Sequence, residues 1–115
     1  MAIEMKLAGP TQLFGGKIYT TIEGDAIVEP GHPSDIYGLV TGNLIAKPNS
    51  VVQLHGLVMG DVIAERGSTV TISGMVQKKV ILTGGHVEVS GIIRSWKEIS
   101  GNLKTLPGAI VGPKD

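Results

Sequence analysis

Residues 38–55 read GLVTGNLIAKPNSVVQLH, and residues 56–73 read GLVMGDVIAERGSTVTIS. Laid one under the other, the two stretches keep their character column by column. The pattern continues on both sides, with units at Thr20–Tyr37 and Gly74–Ser90 and a degenerate one from Gly91. Gly recurs at 24, 42 and 60 and at 38, 56 and 74, each time 18 residues on, then at 91 after 17. One column holds Ile22, Val40, Val58, Val76 and Ile93; another holds Ile36, Leu54, Ile72 and Val89. An 18-residue period is too short for the common helical repeats, which need about 33 residues or more.

Within each unit the period is 2. From Gly38 to Leu82 the even-numbered positions are apolar or small, apart from Ser50, Arg66, Ser68 and Lys78. Such alternation belongs to strands. A finer rhythm of six runs through Ile22, Val28, Val40, Ala46, Val52, Val58, Ala64, Val70, Val76 and Leu82, with Ser34 breaking the column. After a one-residue deletion near Thr83–His86 it resumes at Val87, Ile93 and Ile99. Three sixes per unit predict a three-sided coil of short strands, with Gly or Pro-Asn at corners that need φ > 0 or a sharp bend. The fold expected is all-β: a single-stranded, three-sided parallel β-solenoid of about 18 residues per coil and about five coils. One coil cannot bury its own inward row; stacked about 4.8 Å apart, the coils build columns of Val on Val and Ile on Ile. The solenoid is assigned to residues 20–99, with residues 1–19 as an N-terminal flank or cap and residues 100–115 as a C-terminal flank.

Composition agrees with a narrow interior. Among 115 residues there are 17 Gly but only 3% aromatics, and Val and Ile total 25. The absence of Cys removes a disulfide scaffold and a Cys zinc site. No apolar run reaches the roughly 18–20 residues of a membrane span. The start of the sequence does not read as a signal peptide, and zero net charge provides no general pull toward nucleic acid. These features lead to the expectation of a cytoplasmic protein without a membrane span or a nucleic-acid partner.

Odd positions should point outward and be polar, yet two columns are not. One is Ile27, Ile45, Ile63 and Ile81; the other is Leu39, Leu57, Met75 and Ile92, with Met59 between them. An exposed apolar stripe marks an interaction surface, unless a flank packs over it. Charge is segregated along the chain. Residues 1–37 carry five acidic and two basic residues, net −3, whereas residues 74–115 carry six basic and three acidic, net +3. Sequence order is axial order in a solenoid, so head-to-tail stacking would join opposite charges and pair open edges into a filament.

No catalytic constellation emerges. His32 and His86 fall in equivalent columns three coils apart, roughly 15 Å, too far to share a metal; His55 lies elsewhere. Thr83-Gly84-Gly85-His86 lacks the Lys-[Ser/Thr] of a phosphate loop, and no Gly-x-Ser-x-Gly occurs. The expectation is a non-enzymatic protein with no cofactor, no metal and no catalytic residues. Its partner is a copy of itself or one other protein.

Two resemblances bear on function. The six-residue rhythm is similar to that of the hexapeptide-repeat acyltransferases, which would imply an enzyme using His86 or His55. A closer one lies in Gly56-Leu57-Val58-Met59-Gly60-Asp61-Val62-Ile63-Ala64, which resembles the Gly-x-Val-x-Gly-Asp-Val-x-Ala phrase of the bactofilins. Residues Gly38 to Ala46 repeat it with Asn43 for Asp, Glu23-Gly24-Asp25-Ala26-Ile27 keeps a fragment, and the fourth unit departs at Gln77-Lys78-Lys79. Over about residues 20–99 this resemblance implies a right-handed β-helix that polymerises end to end without nucleotide, as a bacterial cytoskeletal scaffold. The alternative for such a solenoid with one greasy face is a protein-binding inhibitor, such as an immunity protein that covers a toxin's active site.

Overall fold

The computed structural model describes residues 6–8 and 10–115. The chain winds as a parallel β-solenoid of six coils and the start of a seventh, and the described residues contain no helix. Coil one is β1 (Lys6–Ala8), β2 (Thr11–Leu13) and β3 (Gly16–Ile18). Coil two is β4 (Thr21–Glu23), β5 (Ala26–Val28) and β6 (Ser34–Ile36). Coil three is β7 (Leu39–Val40), β8 (Leu44–Ala46) and β9 (Val51–Leu54); coil four is β10 (Leu57–Val58), β11 (Val62–Glu65) and β12 (Thr69–Ile72). In coils five and six the hydrogen bonding runs through the corners, giving the long bent strands β13 (Met75–Val89) and β14 (Ile92–Thr105). The partial seventh turn holds β15 (Ile110–Val111) and a bridge from Lys114 to Trp96.

Every pairing between coils is parallel, and the register holds except for shifts at corners in the pairings of β13 with β11 and β14. The first face aligns positions Leu7, Ile22, Val40, Val58, Val76, Ile93 and Val111. The second aligns Leu13, Val28, Ala46, Ala64 and Leu82; the third aligns Ile18, Ile36, Leu54, Ile72 and Val89. The expected inward set is the observed core, from Ile22 to Ile93, and nearly all of it is fully buried. Ile99 departs from the rhythm of six: it is exposed, because Glu98 takes the place over Leu82. Small and branched side chains fit because each column must repeat at the inter-strand spacing.

Residues 6–8, 10–18 and 110–114, which the sequence sets apart as flanks, continue the winding. Coil one was out of phase because β1 and β2 stand 15 residues before their partners, not 18. The corner between its second and third faces shrinks to Phe14-Gly15, with Gly15 at φ 107°. In coils three and four the same corner is a four-residue turn. Ser50 N–H donates to Lys47 C=O at 3.0 Å, and Ser68 N–H to Glu65 C=O at 2.9 Å. Asn49 and Gly67 occupy the left-handed position, φ 65° and 72°.

The Gly column at 38, 56, 74 and 91 has a different cause. At this corner two successive N–H groups share one carbonyl of the coil before. His55 and Gly56 both donate to Ile36 C=O at 2.8 and 2.9 Å, and Ser73 and Gly74 both donate to Leu54 C=O. The backbones then lie so close that a Cβ on Gly56 would overlap the carbonyl oxygen of Gly38.

Candidate interaction surface

The second face carries the apolar ladder that the sequence picked out. Ile27, Ile45, Ile63 and Ile81 pair directly with one another, one per coil, between Gln12 in coil one and Lys97 in coil six. All four point outward and are half-buried by their own neighbours. The terminal segments within the described residues add coils at the two ends and do not lie over this ladder.

Alternation sets two further outward columns beside it, two residues along each strand. On one side stand Asp25, Asn43, Asp61 and Lys79. On the other stand Phe14, Glu29, Lys47, Glu65 and Thr83. Lys47 Nζ forms an ion pair with Glu29 at 3.2 Å, and Gln12 Nε2 donates to Glu29 Oε2 at 3.2 Å.

The first of these columns explains the Gly-Asp phrase. Asp25 Oδ1 accepts the backbone N–H of Asn43 at 2.7 Å; Asn43 Oδ1 accepts that of Asp61 at 2.8 Å; Asp61 Oδ1 accepts that of Lys79 at 2.9 Å. Each acidic or amide side chain thus satisfies an amide of the next coil at a corner where the strand ladder is interrupted. Lys79 cannot continue the ladder because its side chain has no acceptor. Its ammonium pairs with Asp115 instead. The preceding Gly42 and Gly60 leave room: a Cβ on Gly60 would come 2.5 Å from Gly42 C=O. Sequence reading noted these residues as a phrase without finding their job.

The second apolar column lies on the adjacent first face. Leu39, Leu57, Met75 and Ile92 are paired in register and extend to Ile110. The first three are half-buried and Ile92 is exposed. Met59 sits at the corner between the two columns, 40% exposed. All nine residues therefore occupy two neighbouring faces and the edge between them. Two exposed apolar residues outside the expected set, Phe14 (67%) and Ile99 (66%), lie at opposite ends of the second face.

The remaining corner carries an aromatic stack that sequence reading missed. Tyr19 and Tyr37 stack at 5.0 Å between centroids, and Tyr37 and His55 at 4.5 Å. His55 Nδ1 is 3.0 Å from Ser73 Oγ, so the column continues as a hydrogen bond. The signal was present, since positions 19, 37 and 55 are 18 apart. His86 does not share a column with His32. Its partner is Thr69, which pairs with Val51, and that column ends at Pro33. The deleted residue falls before His86 and shifts it by one. His86 Nδ1 contacts Asn102 Oδ1, with Glu88 3.6 Å from Nε2.

The described residues enclose no pocket and hold no group of three or more His, Asp or Glu side chains able to share a metal ion. The surface offers extended columns of apolar side chains bordered by charge. No protein-family model, no curated protein and no solved structure matches this chain.

Proposed function

We propose that the chain is a non-enzymatic scaffold of the bactofilin kind, which associates with copies of itself and grows end to end in the cytoplasm without a cofactor. The observation that carries this reading is the open strand edge at each end of the solenoid. Among the described residues, β2 and β3 have strand partners only toward coil two, and residues 102–105 of β14 only toward coil five. An unpaired parallel edge is a template for another strand. The acidic N-terminal third and the basic C-terminal third add attraction between opposite ends. Electron microscopy and sedimentation across ionic strength test the idea: filaments that shorten as salt rises support it. A strictly monodisperse monomer at all salt concentrations sinks it.

The outward apolar columns favour one other reading, a protein-binding inhibitor such as a toxin-neutralising immunity protein. Its signature is a solitary solenoid in solution that forms a stoichiometric complex with one enzyme and blocks it. Ile45→Lys should abolish that complex and leave the fold intact.

A further inference from the structure

The second face has a property that the ladder of isoleucines alone does not reveal: its three outward columns are complementary to themselves when one copy is reversed. Consider two copies packed face to face, related by a two-fold axis parallel to the strands and centred between coils three and four. Each column then meets the same column of the other copy in reverse order. Ile27 meets Ile81 of the second copy, and Ile45 meets Ile63, so all four rungs are used twice. In the column of Glu29, Lys47, Glu65 and Thr83, Lys47 meets Glu65 and Glu29 meets Thr83. In the column of Asp25, Asn43, Asp61 and Lys79, Asp25 meets Lys79 and Asn43 meets Asp61. At the ends, Gln12 meets Lys97, and the exposed Phe14 of coil one comes over coil six, where Ile99 stands exposed. No like charges oppose one another.

The other closed arrangement keeps the two solenoid axes parallel and exchanges the flanking columns. Asp25 would then face Glu29, and Asp61 would face Glu65, twice each. Like charges placed opposite across an interface disfavour it. The ladder fits either arrangement; charge and the terminal apolar residues select the antiparallel pair.

We infer that the second face is a homodimer interface, with two copies packed antiparallel so that Ile45 lies on Ile63 and Lys47 on Glu65 of the partner copy. The area sets its strength. Three columns about 7 Å apart over six coils about 4.8 Å apart cover, with side chains, roughly 500–600 Å² per copy. The total of about 1,000–1,200 Å² lies at the lower limit for a specific interface. The pair is therefore a reversible dimer. It rests on reading the outward ladder as a self-association surface but not on growth from the coil ends. If both operate, filaments consist of paired solenoids.

A charge swap tests this. Sedimentation equilibrium of the full chain at micromolar concentrations should show a monomer–dimer equilibrium. Glu65→Lys sets the new ammonium against Lys47 of the other copy, twice in the symmetric pair. Lys47→Glu sets the new carboxylate against Glu65 of the other copy, again twice. Each should weaken dimerisation by about tenfold or more. The double variant K47E/E65K exchanges the charges and should recover most of the loss. Both positions lie on the outer surface, and thermal unfolding of each variant checks that the fold is kept. Ile45→Lys should remove the dimer altogether. The inference is overturned by a chain that stays monomeric up to about 100 μM, too weak for a specific interface. It is also overturned if the dimer withstands Ile45→Lys, or if the double variant is no tighter than the single ones. Filaments of single-solenoid width formed by the unmodified chain would overturn the lateral contact yet leave end-to-end growth standing. Loss of filaments from an intact dimer would do the reverse.

Discussion

Replacing Ser34 by Val should stabilise the protein. Ser34 is fully buried, and its hydroxyl has no hydrogen-bond partner among the described residues. It occupies the one polar place in a column that continues as Val52, Val70 and Val87. Leaving a buried hydroxyl unpaired costs about 1–3 kcal/mol. Val removes that cost and adds one buried carbon, worth about 0.8 kcal/mol. Overpacking opposes the gain and costs about 1–3 kcal/mol in a filled core. Here the neighbour on the coil-one side is Gly16, which has no side chain, and a Cβ built there meets nothing within 4 Å. The added methyl has space to enter, so the net gain should be about 1–2 kcal/mol. For a domain of this size that raises Tm by roughly 3–8 °C. Urea unfolding should show a higher midpoint at an unchanged slope. Ser34→Ala separates the two terms: it removes the hydroxyl without adding volume and should give some of the gain. A fall in Tm for Ser34→Val together with no change for Ser34→Ala would refute the reasoning, because the hydroxyl would then be satisfied and the space absent.

Substitutions at three other positions probe the corners. Asp61→Ala strands the amide of Lys79 and should cost about 1–3 kcal/mol. Asp61→Asn should be nearly neutral by urea unfolding, since Asn43 already accepts the equivalent amide in the preceding coil. Gly56→Ala puts a Cβ into the carbonyl of Gly38; a loss of about 3 kcal/mol or more, read as a low Tm or insoluble expression, is expected. Asn49 stands at φ 65°, so Asn49→Gly should leave Tm within a few degrees, while Asn49→Val should lower stability by about 1–2 kcal/mol.

The middle of the molecule was legible because neighbours in space are 18 apart in sequence, so a column of contacts is also a column of letters. The inward set from Ile22 to Ile93 could be read without coordinates for that reason. The ends were less legible because the repeat loses its phase there. Coil one drops three residues at the Phe14-Gly15 corner. In coil six the inward places over Leu82 and Val89 are taken by Glu98 and Thr105. A last coil faces water on its open side, and polar residues there do not cost what they would inside. Trp96 stands over Val80 where the partial seventh turn covers coil six, bridged to Lys114, whose ammonium is 4.9 Å from its ring centre. The Asp25–Asn43–Asp61 ladder was visible as letters, but a bond that runs along the solenoid axis has no counterpart in the period of two that marks a strand.

The outward columns raise a different physical question, namely what chooses a direction on a surface that repeats. A perfect repeat could not choose: every coil would present the same side chains, and a copy could slide by one coil at little cost. Here the apolar ladder supplies contact and the charges supply the choice. Glu29 and Glu65 flank Lys47, and Asp25, Asn43 and Asp61 end in Lys79, so each column changes sign once or more along its length. Sliding the antiparallel pair by two coils, so that coil two meets coil three, leaves only Ile27 and Ile45 on isoleucine. Reversing one copy to the parallel arrangement sets Asp61 on Glu65. The breaks in the repeat at Lys47 and Lys79, which look like decay when the units are aligned, are the residues that would fix both register and polarity of a lateral pair.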